Sequence, residues 1–239
     1  MRLTDFKVLC FGCYGTLIDR DAGVLTALRR LIANARINMS RGEILTAFDR
    51  HQSAIESASP DLVFPKVLAQ AHRSLARDWA VLCSDAEHVS FGTSVRQWPP
   101  FADVPATLQY LKRYFKLAVL TNSDPDSIAA SARRLDARFD WVFTSQDIGS
   151  RKPDPRNFEY LLGRLGELGY APGEVVHVAS SLPRDLVPAT RLGIATAWIT
   201  RRAEDTDTDR VQLPGDAPFS PYYSSLADMV RVHQEELRA

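Results

Sequence analysis

Two textures of apolar and polar positions divide this chain. Residues 6–11 (FKVLCF) form a short apolar run that stops at Gly12-Cys13-Tyr14-Gly15. A run of that length closed by glycines predicts a central parallel strand entering a loop. From residue 21 to residue 37, Val24, Leu25, Leu28, Leu31, Ile32 and Ala35 recur at helical spacing. Ser40 followed by Glu43 is a capping-box pattern that opens a helix through about residue 51. Residues 60–82 read as a further helix pair with Val67, Leu68, Ala71, Leu75 and Trp79 on one face. No strand pattern interrupts residues 20–95.

The texture changes at Trp98-Pro99-Pro100-Phe101, a sharp break. Beyond it, helices predicted at 103–114, 125–136, 154–168 and 185–192 alternate with strands at 116–121 (KLAVLT), 141–144 (WVFT), 175–179 (VVHVA) and 196–199 (TAWI). That alternation implies a doubly wound parallel sheet. The predicted class is an α/β protein with a Rossmann-like core (1–19 and 99–239) and a helical cap (20–98) inserted after the first strand. Residues 203–218, rich in Asp with two prolines and a glycine, read as an exposed loop, and 224–237 as a last helix. No internal repeat is visible.

Composition narrows the classes. Hydrophobic residues make up 45% and charged residues 24% of 239, as in packed globular proteins. With a net charge of zero, no bulk field draws the chain to nucleic acid or to an anionic membrane. Arg201-Arg202 is a local basic pair, weighed against the plainer reading of a solvated loop. No apolar run approaches the roughly 18–20 residues of a membrane span, and the N-terminal run is too short for a signal peptide. The expectation is a cytoplasmic protein. Cys10, Cys13 and Cys83 are an odd number without metal-ligand spacing and read as free thiols.

In an open α/β sheet, ligands bind outside the carboxyl ends of the strands. Polar residues stand at four such places: Gly12 to Thr16, Thr121-Asn122, Lys152, and Ser180 to Asp185. The fold is expected to gather them at one edge. Each also has a plainer reading. Lys152 can be a solvated charge, Thr121-Asn122 can satisfy loop backbone, Tyr14 can be packing, and Asp185 can cap the next helix.

FGCYGTLID, LTNSD, GSRKPDPRNF and SSLPRD, in this order and spacing, resemble the four motifs of the haloacid dehalogenase superfamily. Tyr14 and the insert after strand one resemble its (S)-2-haloacid dehalogenase branch. The stretch FGTSVRQWPPFADVPATLQYLKRYFKL is similar to the L-azetidine-2-carboxylate hydrolases within that branch.

The resemblance implies an aspartyl-ester mechanism on a small 2-substituted carboxylic acid, with the nucleophilic Asp at the place of Gly12. Thr121 and Asn122 would hold the substrate or nucleophile, Lys152 would balance the carboxylate, and Asp185 would order its loop and position water. Cys13, Tyr14, Arg20, Arg151 and Ser180 would line the substrate pocket. Members of the branch carry Trp at 20, Tyr at 151 and His-Asp-His around 185, where this chain has Arg20, Arg151 and Arg184-Asp185-Leu186. Those arginines imply a pocket favouring an anion. Phosphatases of the superfamily hold Mg²⁺ through Asp side chains at the places of Gly12, Tyr14 and Ser180; with those missing, neither metal nor cofactor is expected. Relatives are often dimers through the cap, which makes 60–82 a candidate homodimer surface.

Glycine cannot attack carbon, and losing a nucleophile elsewhere has cost on the order of 10⁶ in turnover. An engineered trap, a natural loss or change of activity, and a substitute nucleophile all stay open at this point. Cys13 and Asp19 are weak substitutes. A chain weakly active or inactive as a hydrolase is the leading reading, a non-catalytic small-anion binder the second, and a Mg²⁺-dependent phosphatase the third.

Overall fold

The computed structural model describes residues 1–201 and 221–239. Six parallel strands form one sheet in the order β3-β2-β1-β4-β5-β6. They are β1 (Val8–Phe11), β2 (Lys116–Thr121), β3 (Trp141–Thr144), β4 (Val175–Ala179), β5 (Ala195–Ile199) and β6 (Tyr222–Tyr223). Every residue of β1 and β4 is buried, as a central strand covered by helices on both faces requires. This is the α/β Rossmann-like architecture expected. The two-residue β6 has no counterpart in the strand pattern. The loop expected at 203–218, and Arg202, lie outside the described residues.

The helices are α1 (Arg20–Asn34), α2 (Arg41–Ala58), α3 (Phe64–Asp78), α4 (Asp85–Thr93), α5 (Val104–Leu111), α6 (Pro125–Arg134), α7 (Ser145–Ile148), α8 (Arg156–Glu167), α9 (Val187–Arg191) and α10 (Leu226–Glu236). The first four fill the insert between β1 and β2. Ser40 and Glu43 form the expected reciprocal cap, and the helix runs seven residues past its predicted end. The pair expected over 60–82 is a single helix. Pro65 lies in the first turn of α3, and Ala80, at φ 53, turns the chain out after it. The next helix opens at a second capping box, Ser84 with Glu87. The apolar face of α3 (Val67, Leu68, Ala71, Leu75) is buried in the core, and Lys66, Gln70, Arg73 and Arg77 face outward.

One apolar cluster runs from the sheet into the insert, joining Leu9 and Phe11 to Leu28, Phe48, Leu75 and Trp98. Each such side chain, fully buried, contributes about 1.5–3 kcal/mol. Gly23 makes the tightest join. A β-carbon there would lie 2.3 Å from Cγ of Trp98, so the helix accepts a glycine, at about 1 kcal/mol, to let the indole sit against its backbone. Trp98 Nε1 donates to Ser94 Oγ at 3.2 Å.

Candidate active site

The carboxyl ends of β1, β2 and β4, the three central strands, build the site. Gly12 extends β1 by one residue, its N–H donating to the Val178 carbonyl at 3.0 Å. The chain then turns tightly. Gly15 sits at φ 90, a conformation that suits glycine, and the N–H groups of Thr16, Leu17 and Ile18 all donate to the Cys13 carbonyl. Thr16 stitches this turn to the loop after β4. Its hydroxyl donates to Ser180 Oγ at 3.2 Å and accepts from Ser180 N–H at 3.0 Å. A β-carbon built on Gly12 would meet Ala179 Cβ at 3.2 Å, Thr16 Oγ1 at 3.2 Å and Asp185 Oδ1 at 3.4 Å.

Beside that point lies a buried charge cluster. Lys152 and Asp185 are each 7% exposed and His177 is fully buried. The Lys152 ammonium donates to the Leu120 carbonyl at 2.7 Å and to Asp185 Oδ1. His177 Nε2 lies 2.9 Å from the same oxygen. An ionised carboxylate only accepts, so His177 is the donor. Burial pushes the Asp185 carboxyl up, but Lys152 and His177 outweigh it and hold it at about 2. Burial likewise drives the His177 imidazole down, against the pull of Asp185. Removing one partner of such a buried pair typically costs about 3–5 kcal/mol.

The loops holding the cluster explain the places of Thr121 and Asn122. The Asn122 side chain donates to the Lys152 carbonyl at 2.8 Å and accepts from Lys152 N–H at 2.7 Å, so it fixes the lysine's backbone. Thr121 Oγ1 shares a hydrogen bond with Ser123 Oγ at 3.1 Å. Asp185 sits in a π-type turn over Leu182–Leu186, capped by the Ser181 side chain accepting from Arg184 N–H.

Tyr14 stands at the junction of insert and sheet. Its ring lies 5.4 Å from Phe64 and 5.7 Å from Trp98, and its hydroxyl bonds Ser131 Oγ at 3.2 Å. Burial pushes the Cys13 thiol up to about 12, so it is no thiolate at neutral pH.

The structure gives each of the three arginines a protein acceptor. Arg20 lies inside the insert, bonded to Asp49 and Gln52, with its guanidinium 5.2 Å over Phe48. Arg151 reaches from the sheet side to the Pro60 and Leu62 carbonyls of the insert. Arg184 donates to Ser53 Oγ and pairs with Glu56 at 3.5 Å. A small cleft opens here, lined by Leu62, Phe64, Ser123, Asp124, Ser145 and Arg151.

Sequence reasoning missed His177 and Glu56, and placed Thr16 at the strand end without a role. The available signal for His177 was a lone imidazole inside an otherwise apolar strand; Glu56 carried none. Among the described residues, no group of three or more His, Cys, Asp or Glu side chains stands together as a metal site.

Comparison with known proteins gives the family and the fold. The model of the haloacid dehalogenase-like hydrolases matches residues 6–193. (S)-2-haloacid dehalogenase 4A of Burkholderia cepacia is 27% identical over 233 residues, 94% of each chain. A phosphoserine phosphatase of Thermus thermophilus is 31% identical over 126 residues, 51% of this chain and 49% of that protein. The L-2-haloacid dehalogenase of Xanthobacter autotrophicus shares the fold with a TM-score of 0.75 and 20% identity, over 96% of this chain and 98% of that one. With the family's model matching residues 6–193, well over half of the sequence, the chain belongs to the haloacid dehalogenase-like hydrolases.

Proposed function

We propose that this chain hydrolyses a small 2-substituted carboxylic acid, of the 2-haloacid or azetidine-2-carboxylate type, with low turnover. One observation carries the reading. Lys152 is buried and paired with Asp185, whose Oδ1 lies 3.4 Å from where a β-carbon on Gly12 would stand, while the side chain expected at residue 12 is missing. The mechanism splits the displacement in two. A carboxylate attacks the α-carbon and expels the leaving group, and water then cleaves the ester. The insert at 20–98 serves as a cap over this site, with Tyr14 and Phe64 at its junction with the sheet.

Direct assay tests the reading. Chloride release from (S)-2-chloropropionate or ring opening of azetidine-2-carboxylate, slow and independent of Mg²⁺, is the expected result. Mg²⁺-dependent phosphate release from phosphoserine, with neither acid consumed, would refute it. A second reading, a binding protein for small carboxylates, is favoured by Gly12 alone. It predicts thermal stabilisation by both acids with no product.

A further inference from the structure

We infer that Asp185 supplies the attacking carboxylate in place of residue 12, its Oδ1 standing 3.4 Å from where a Gly12 β-carbon would lie and Oδ2 being the free oxygen of the same carboxylate. This rests on the hydrolase reading above. An aspartate at residue 12 would carry its carboxylate one carbon–carbon bond beyond that point, so Asp185 brings an oxygen into the neighbourhood the reaction needs.

The side chain is held as a nucleophile should be. Lys152 and His177 both bond Oδ1, which fixes the carboxylate plane. Among the described residues no hydrogen-bond donor meets Oδ2, which keeps its lone pairs for carbon. Among the three atoms nearest that point Asp185 supplies the carboxylate; Asp124 also keeps a buried Oδ2 without a hydrogen-bond partner, but it is not one of those three. Cys13 is a buried neutral thiol. Asp19 accepts from Ala22 N–H at 2.9 Å and caps α1, and Asp124 accepts from Ser127 N–H at 2.9 Å and caps α6.

The step balances. Asp185 Oδ2 forms a bond to the α-carbon of (S)-2-chloropropionate while the carbon–chlorine bond breaks, its electron pair leaving as chloride. Water then adds to the Asp185 carbonyl carbon. The acyl–oxygen bond breaks, the departing lactate oxygen takes one proton of the water, the other is released to solvent, and Asp185 is again a carboxylate. The hydroxyl oxygen of lactate comes from Asp185, and the oxygen of water enters Asp185.

Isotope tracing of the native protein tests this. The chain turns over (S)-2-chloropropionate in H₂¹⁸O and is then digested with trypsin in ordinary water. The tryptic peptide 185–191 (DLVPATR) has Asp185 as its only acidic side chain, so its mass reports that carboxylate. The expected result is ¹⁸O in this peptide's Asp185, with lactate unlabelled in the first turnover. Heavy oxygen entering lactate in the first turnover, or label on another residue, overturns the inference. So does the absence of chloride release by the native chain. In that last case the Gly12→Asp variant separates the two ideas. Chloride from the variant leaves the hydrolase reading standing without Asp185, and none takes both away.

Discussion

Arg151 crosses from the sheet side to the insert and ends on the Leu62 carbonyl. It also donates to the Pro60 carbonyl at 2.9 Å and to the Asn122 carbonyl at 3.4 Å, and so ties the site loops to the segment leading into α3. Arg151→Ala should therefore loosen residues 59–63 while leaving the sheet intact. Hydrogen exchange at the Leu62 amide, which bonds Ser59 O at 3.1 Å, is expected to quicken about fivefold, in line with the loss of about 1 kcal/mol of local bonding. Unchanged protection would mean the insert holds this segment by itself.

Gly23→Ala tests the join of insert and sheet. The new methyl would fall 2.3 Å from Trp98 Cγ, and Trp98 is fully buried. The gain in helix propensity, about 1 kcal/mol, is smaller than the strain, so a net loss of about 2 kcal/mol or more is expected. Urea unfolding measures it; a variant as stable as the parent would show that the indole can shift.

Gly12→Ala asks how tight the nucleophile position is. Contacts of 3.2 Å to Ala179 Cβ and Thr16 Oγ1 require those neighbours to give by a few tenths of an ångström, while Asp185 Oδ1 at 3.4 Å is in ordinary contact. A cost of about 1 kcal/mol is expected, readable as a lower urea midpoint with an unchanged slope.

Acid stability follows from two buried groups. Asp185 titrates at about 2, below the ordinary 3.8, so the stability it contributes is present above pH 4 and is lost as pH falls through about 2. In the insert, Nδ1 of His72 lies 2.7 Å from Nδ1 of His88. Burial first, then His88, lowers His72 from 6.5 to about 4, so its contribution is present above pH 6.5 and is lost as pH falls through 4. Unfolding free energy should decline in two windows, 6.5 to 4 and 4 to 2, and His72→Gln should make the first shallower, buried His177 contributing the rest, and leave the second unchanged. A single decline, unaffected by that change, would contradict the assignment.

Much of the fold could be read directly. The runs at KLAVLT, WVFT and VVHVA are strands at the predicted residues because period and length leave a buried strand few alternatives. The convergence of Gly12, Lys152 and Asp185 was also legible, since each follows a strand end of one parallel sheet. The partnerships were not. Nothing local in the sequence says that Asn122 would bond the Lys152 backbone, that His177 would point at Asp185, or that Arg20 would turn into the insert toward Asp49. These depend on the distance between loops separated by tens of residues, which only the packed sheet sets. The helix end at Ala80 was missed for the opposite reason: a non-glycine in the left-handed region leaves no compositional mark.

The most direct measurement compares chloride release from (S)-2-chloropropionate by the native chain and by its Gly12→Asp variant, after unfolding curves establish that both are folded. A site complete except for its usual carboxylate predicts slow release by the native chain and release faster by a factor on the order of 10² or more in the variant. A folded variant that binds the acid yet releases no more chloride than its parent would contradict the account.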